Sequence, residues 1–230
     1  MLGYLVLNGG EAFSTAARPL DSRWLQLIRR AHARPRVVVI PAADMSGTRR
    51  QADRVMRYFN NLGTFAEYTM ITTRDAANSR ADTLILDKVE GLVLLDGSAL
   101  DMVERLRGTK TEVALRRALE ERKGVVMAAG AGAMALGAVY WLGGQWEPGL
   151  GIAPQLAIVP HHNLVQMRLT PETLLADLPQ NVTLLGIDDL TYVTWTPDNT
   201  YEVSGRGEVT VYRSVAQQDV YRDGATFSLS

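Results

Sequence analysis

Short apolar runs alternate with amphipathic segments along the first two thirds of the chain. The apolar runs are bounded by turn-forming residues and predict buried parallel strands; they lie at 4–7, 36–40, 66–72, 91–95 and 124–127. Apolar residues at helical spacing predict helices at 48–62, 102–106 and 113–119. The alternation predicts an α/β fold with a mostly parallel central sheet and helices on both of its faces.

The last third of the chain has a different pattern. Its apolar runs lie at 181–187, 191–195, 201–203 and 208–212, and turn-forming residues at 197–199 and 205–207 separate them. These runs predict β-hairpins that continue the sheet or pack at its edge. Because no linker interrupts the pattern, we expect a single domain over residues 1–230.

The composition narrows the possible partners. Hydrophobic residues make up 47% of the chain and charged residues 21%, as in ordinary globular proteins. Lys and Arg total 24 against 25 Asp and Glu, so no positive excess favours nucleic acid or an anionic membrane. The absence of cysteine excludes disulfides and a thiolate nucleophile. The apolar N-terminus reads as a buried strand instead of a signal peptide, so we expect a cytoplasmic protein.

The residues that follow the predicted strands are the candidates for chemistry, because open parallel sheets bind ligands beyond the carboxyl ends of their strands. These segments are 8–11, 96–99, 128–133, 160–162 and 186–189. Residues 124–137 run from an apolar strand through small residues into a helix, which is the setting of a nucleophile elbow with Gly130 at its tip. Glycine relieves backbone strain there but supplies no nucleophile. The same glycines also fit a turn needed only for close packing.

Other interpretations of these segments stay open. Residues 130–135 match the G-x-G-x-x-A dinucleotide fingerprint, although Glu147, the nearest acidic residue of the expected kind, lies in a Gly-Pro setting. The backbone N–H groups of 96–99 are placed to line an anion pocket, and Ser98 is placed to cap the helix that follows; both can hold at once. Ser98 is also the hydroxyl near the expected cleft that could replace the missing nucleophile. The histidines at 161 and 162 point to opposite sides of an extended chain, and their spacing to Asp188 and Asp189 matches no metal motif. We therefore expect no metal and no cofactor.

The chain resembles the cyanophycinase and dipeptidase E family of serine peptidases, from Leu7 to about Tyr212. The resemblance rests on motifs that occur in the family's order: LNGGEAF, RVVVIPAAD, LVLLDGSALDMVERL, AAGAGAMALG, GLGIAPQLAIVPHHNLVQMRL and LLGIDDLTYV. It implies a three-layer, flavodoxin-like fold of the class I glutamine amidotransferase type, and a homodimer.

The resemblance also implies a site. Gly130 takes the nucleophile position, His162 the position of the general base, and Asp189 that of the acid orienting it, with His161 the alternative for the base. Backbone N–H groups of Gly97 and Ala131 match the oxyanion hole. The remaining positions that match binding segments of the family are Glu11, Asp96, Ser98 and Arg168.

The departures from the family pattern cluster at this site. Glycine replaces serine at position 130, Asp96 replaces the first glycine of the oxyanion strand, and Ala99 replaces a glutamine. A carboxylate at Asp96 would lie beside a developing oxyanion and disfavour it. We therefore expect a non-catalytic or impaired peptidase homologue that binds an amino acid, a peptide or a partner protein. The alternatives are a hydrolase of aspartyl peptides that uses another nucleophile, and a dinucleotide-binding protein.

Overall fold

A computed structural model describes residues 1–29, 34–43 and 48–229. Asp44, the last residue of the RVVVIPAAD motif, lies outside these ranges. The helices are α1 (Arg18–Arg29), α2 (Thr48–Asn61), α3 (Arg74–Asn78), α4 (Arg80–Thr83), α5 (Ala99–Leu106), α6 (Lys110–Glu120), α7 (Ala131–Ala135), α8 (His162–Val165) and α9 (Pro171–Leu175), with a 3₁₀ helix at Leu84–Lys88. The strands are β1 (Tyr4–Asn8), β2 (Arg36–Ile40), β3 (Phe65–Tyr68), β4 (Gly91–Leu94), β5 (Val125–Ala129), β6 (Gly137–Leu142), β7 (Gln145–Pro148), β8 (Ala153–Val159), β9 (Thr183–Ile187), β10 (Thr191–Trp195), β11 (Tyr201–Gly205), β12 (Val209–Tyr212), β13 (Gln218–Tyr221) and β14 (Thr226–Phe227).

The central sheet has eight strands in the order β14-β11-β10-β1-β5-β4-β2-β3 over the described residues. Strands β1 to β5 pair in parallel, and β10, β11 and β14 add antiparallel strands at one side. The five strands predicted from the first two thirds of the sequence form this parallel part. The predicted strand at 66–72 is shorter in the structure, where β3 ends at Tyr68.

Helices cover both faces of the central sheet, as the pattern predicts. On one face, Trp24 of α1 and Phe59 of α2 pack against alternate strand residues such as Val39 and Met127. On the other face, Met102 of α5 and residues of α6 join the largest core cluster. No helix in the described part of the chain is long and apolar enough to cross a membrane.

The C-terminal region only partly continues this sheet. Strands β9, β12 and β13 belong to a second sheet of six strands, ordered β13-β12-β9-β8-β6-β7 across the described residues. All four residues of β12 are buried, as are four of the five in β9, so these strands are covered on both faces. One face packs on the main core and the other on Leu174 of α9. Hairpins at a sheet edge would have left one face in solvent.

Candidate functional site

The turn from β5 into α7 has the conformation of a nucleophile elbow. Gly130 has φ 52° and ψ −122°, a combination that L-residues adopt only under strain. Its N–H donates to the Asn8 carbonyl at 3.0 Å, and its own carbonyl accepts from the N–H of Met134 at 3.1 Å. The small residues around Gly130 therefore make the tight strand-to-helix turn that their pattern predicts.

The carboxylate of Asp96 occupies the space beside this elbow. A Cβ atom built on Gly130 would lie 2.3 Å from Cγ and Oδ1 of Asp96 and 2.5 Å from its Oδ2. Real Cβ atoms do not approach other heavy atoms this closely. A side chain at position 130 and the present Asp96 conformer therefore exclude each other.

The predicted oxyanion donors bind that same carboxylate. The N–H of Ala131 donates to Oδ1 of Asp96 at 2.7 Å, and the N–H of Gly97 donates to the same oxygen at 2.8 Å. Hydrogen bonds from N–H groups to an ionised oxygen are stronger than those between neutral groups. The two donors predicted from the sequence do converge, but the oxygen between them belongs to the protein.

His161 lies between Asp96 and Asp189. Its Nδ1 is 2.7 Å from Oδ1 of Asp189, and its Nε2 is 3.7 Å from Oδ2 of Asp96. Asn163 fixes Asp189 from the other side, since its amide donates to Oδ2 at 3.2 Å and its carbonyl oxygen accepts from the Asp189 N–H at 3.0 Å. The sequence gives no signal for this role of Asn163, which sequence reasoning therefore missed.

His162 does not lie where the residue-by-residue comparison placed it. Its side chain is 2% exposed, its Nε2 is 2.7 Å from the Tyr212 hydroxyl, and its Nδ1 is 3.5 Å from Oδ1 of Asp188. The alternative, His161, pairs with Asp189. The cause is the backbone of His161, whose φ of 51° and ψ of 37° turn the chain after β8 and direct the two rings to different sides.

The glycine pair of the first strand makes room for this histidine. Gly9 accepts a hydrogen bond from the N–H of His161 at 2.6 Å. At Gly10, a Cβ would lie 2.1 Å from Oδ1 of Asp189 and 2.4 Å from Cε1 of His161. The next residue, Glu11, has an exposed side chain. The LNGG segment therefore supports the histidine–aspartate pair through its backbone and its lack of side chains.

Two further predicted residues lie apart from this arrangement. Ser98 caps α5, because its hydroxyl oxygen accepts from the N–H of Asp101 at 3.2 Å, and its own N–H donates to the Ala43 carbonyl at 2.8 Å. The contacts of Ser98 are therefore those of a helix cap. Arg168 is exposed and, like Ser98, does not line the cavity beside Asp96.

The charges of the site reinforce one another. Contact with the Asp96 carboxylate raises the pKa of His161, burial lowers it, and contact with Asp189 raises it again. The resulting pKa of His161 is about 9. Burial would raise the pKa of Asp96, but His161 and the two backbone N–H groups outweigh it and lower the pKa. Burial lowers the pKa of His162. At neutral pH, His161 is therefore an imidazolium beside an ionised Asp96.

A cavity of about 580 Å³ opens next to these groups, within the range of small-molecule sites. Its wall is mostly apolar, and Asp96, Gly97, Ala131 and His161 lie together beside the elbow. The apolar residues are Met134, Trp141, Val159, Pro160, Val165, Leu169 and Leu174, and the others are Gln51, Asp96, Gly97, Ala131 and His161. The cavity suits a molecule with an apolar body and one polar or reactive end.

The geometry does not favour a dinucleotide. Helix α7 has five residues, and its first N–H already donates to the Asp96 carboxylate, where a phosphate would have to bind. Glu147 lies on β7 of the second sheet, not in the loop that the Gly-Pro setting indicated. Among the described residues, no group of three or more His, Cys, Asp or Glu side chains is arranged to hold a metal ion.

Comparisons with known proteins find the same fold in solved structures. No protein-family model matches the chain, and no curated protein sequence matches it. The structure of a peptidase from an acI-B1 Actinobacterium superimposes with a TM-score of 0.86 at 19% identity, covering 99% of this chain and 97% of the other. A candidate peptidase E protein from Listeria monocytogenes EGD-e superimposes with a TM-score of 0.64 at 12% identity, covering 89% and 99%. The chain therefore shares the flavodoxin-like α/β fold of solved peptidases.

Proposed function

We propose that this protein is a homologue of the cyanophycinase and dipeptidase E peptidases that has lost serine-peptidase chemistry and binds a small, largely apolar molecule in the retained cleft. One observation carries the proposal. The Asp96 carboxylate fills the space of the missing serine side chain and takes both N–H groups of the oxyanion hole. A peptide carbonyl in this cleft would find neither a serine nor a free hole.

The wall of the cavity supports the ligand class. An ordinary aspartyl dipeptide carries several charges, whereas the cavity offers apolar side chains over most of its surface. The ionised Asp96 adds a negative charge at the polar end. An amino acid or peptide that binds here would thus need an apolar side chain, with its amino group toward Asp96.

Hydrolysis assays test the loss of peptidase chemistry. The wild-type protein, Gly130→Ser, Asp96→Gly and the double variant would be incubated with aspartyl dipeptides, including β-aspartyl-arginine. We expect no hydrolysis by the wild type or by Gly130→Ser, because Asp96 still blocks the elbow in the latter. Only the double variant restores both the serine and the glycine of the family pattern. Turnover by the wild type would contradict the proposal.

Fluorescence tests ligand binding, since Trp141 lines the cavity. The probes are 1-phenylethanol and L-phenylalanine amide, a neutral and a cationic molecule with a phenyl group. We expect both to change the tryptophan emission, and Trp141→Phe identifies the responding residue. Leu169→Trp narrows the cavity and should weaken binding of both probes. No response to either probe would show that the cavity does not bind apolar molecules.

A further inference from the structure

The arrangement of Asp96, His161 and Asp189 has the order of a nucleophile, a base and an orienting acid. Asp96 carries a carboxylate at the place where the elbow side chain is missing, and its Oδ2 faces Nε2 of His161 at 3.7 Å. Its side chain is 43% exposed, so a bound molecule can reach it. Carboxylates serve as covalent nucleophiles in several enzyme classes. The position of Asp96 is therefore that of a replacement nucleophile.

We propose that Asp96 is the covalent nucleophile of an epoxide-opening hydrolase, with His161 as acid and base and Asp189 as its orienting partner. This inference rests on the proposed function, since it assigns a substrate class to the same cleft: small epoxides with an apolar substituent.

The two oxygens of Asp96 determine which carbon it attacks. Both N–H groups of the oxyanion hole already donate to Oδ1. If Asp96 attacked a peptide carbonyl, the oxyanion formed on the substrate would therefore have neither of these donors. Attack on that carbonyl would also give a mixed anhydride, a high-energy product. Attack by Oδ2 on a saturated carbon gives an ordinary ester. No tetrahedral oxyanion forms at the attacked carbon, so this step needs no oxyanion hole. The geometry therefore favours displacement at a saturated carbon.

The imidazolium of His161 determines the leaving group. Its Nδ1 faces Asp189 at 2.7 Å, which leaves the proton on Nε2 directed toward the cleft near Asp96. An epoxide needs a proton on its oxygen as the ring opens. The pKa of His161, about 9, keeps this ring protonated at neutral pH. In the first step, Oδ2 forms a bond to an epoxide carbon, the carbon–oxygen bond of the ring breaks, and His161 protonates the released oxygen.

The same groups then suit hydrolysis of the ester. Oδ1 has become the ester carbonyl oxygen and still lies between the N–H groups of Gly97 and Ala131, which now stabilise the oxyanion that forms on it. Contact with ionised Asp96 is the largest cause of the raised His161 pKa, so esterification lowers that pKa. Neutral His161 can thus take a proton from the water that attacks Cγ of Asp96.

The proton balance closes over the two steps. His161 gives one proton to the epoxide oxygen and regains one from the attacking water. The other proton of that water ends on the former Oδ2, which leaves as a hydroxyl of the diol. The ester bond between Oδ2 and the substrate carbon forms in the first step, and the Cγ–Oδ2 bond breaks in the second. Asp96 ends as a carboxylate, with a water oxygen in place of Oδ2. The net reaction is an epoxide and water giving a 1,2-diol, and it needs no further reactant.

Styrene oxide tests the proposal on the full chain, because its phenyl group suits the apolar wall. We expect formation of 1-phenylethane-1,2-diol, and a loss of about 10³-fold or more in Asp96→Asn, which keeps the hydrogen-bond acceptor but removes the nucleophile. Asp198→Asn, an exposed aspartate in a distant turn, is the matched control and should keep full activity. His161→Gln removes the acid of the first step and the base of the second, so it should lose diol formation as well. In the wild type, acid quenching during turnover should trap the ester, seen as a protein mass increased by one styrene oxide on the peptide that contains Asp96.

A single turnover in heavy-oxygen water identifies the nucleophile independently. Attack of water on Cγ puts the heavy oxygen into Asp96, and the first diol released carries the epoxide oxygen and an oxygen from unlabelled Asp96. If the first diol carries the heavy oxygen and Asp96 stays unlabelled, water attacks the epoxide directly and the covalent proposal is overturned.

Failure of this inference differs from failure of the proposed function. If 1-phenylethanol changes Trp141 emission but styrene oxide gives neither diol nor adduct, the cleft binds apolar molecules and Asp96 is not a nucleophile toward epoxides. If neither binding nor reaction occurs, the proposed function fails as well.

Discussion

The competition between Asp96 and a side chain at position 130 predicts a measurable coupling of stability. The perturbation is Gly130→Ala, which adds only a Cβ atom. That atom would lie 2.3 Å from Cγ of Asp96, so the carboxylate must leave its present position. An L-residue at a φ of 52° also carries strain. Two separate costs therefore add in this variant.

Each cost has an expected size. The backbone conformation of Gly130 lies in a sparsely populated region that costs an L-residue about 1–3 kcal/mol. Moving Asp96 breaks its hydrogen bonds to the N–H groups of Ala131 and Gly97, each worth about 1.5–3 kcal/mol as a bond to a charged group. Because Asp96 is partly exposed, solvent replaces much of that loss. We expect Gly130→Ala to lower the free energy of unfolding by about 3 kcal/mol in the wild type.

Urea denaturation of a double-mutant cycle isolates the clash. The four proteins are the wild type, Gly130→Ala, Asp96→Ala and the double variant. With Asp96 shortened to alanine, Gly130→Ala should cost only its strain, so a coupling of about 2 kcal/mol is expected between the two positions. An equal cost of Gly130→Ala in both backgrounds would refute the placement of the Asp96 carboxylate at the elbow.

Three further predictions concern titration and buried polar groups. By NMR, the His161 ring should titrate near pH 9 in the wild type and closer to its ordinary value in Asp96→Asn. Because the pKa of His161 is raised in the folded state, its contribution to stability is full below about pH 6.5 and is lost as the pH rises through about 9. Midpoints near pH 6.5 in both proteins would contradict this. His162→Ala should destabilise by about 2–3 kcal/mol in urea unfolding, more than His161→Ala, since His162 is 1% exposed and bonded to Tyr212; the reverse order would place the wrong ring in the core. Buried Asp21 accepts hydrogen bonds from the indole N–H of Trp24 and from the hydroxyls of Tyr58 and Tyr192. Asp21→Ala should cost about 3 kcal/mol or more in urea unfolding, because it leaves these donors without their acceptor, whereas Asp21→Asn should cost less. Equal costs would argue against these hydrogen bonds.

The local patterns of the sequence predict the central sheet and the elbow well. Each parallel strand is a short apolar run, and the small residues around Gly130 leave the chain few alternatives to a tight turn. The second sheet was harder to predict. Its strands β9 and β12 are buried on both faces, so they lack the alternation that marks an edge hairpin. The pairing of β9 with β8 and β12 also joins segments far apart in the chain.

The sequence predicts most of the residues of the candidate site but not the contacts between them. The chain order of the motifs brought Gly130, Asp189 and the two oxyanion donors to one end of the sheet. Which histidine faces them depends on a single left-handed residue, His161. Histidine is enriched among the few non-glycine residues with positive φ, but that preference is too weak to identify His161 from the sequence. The sequence comparison placed Asp96 beside the oxyanion position, but only the backbone geometry puts its carboxylate inside the hole.

The most direct test of the account is an NMR titration of the backbone amides that surround Asp96. If its carboxylate occupies the hole, the N–H resonances of Gly97 and Ala131 should shift together as Asp96 ionises, with a midpoint below its ordinary pKa of 3.8. The shifts should vanish in Asp96→Asn. Amides that do not respond to Asp96, or a shared midpoint above 3.8, would contradict the placement of this carboxylate in the oxyanion hole.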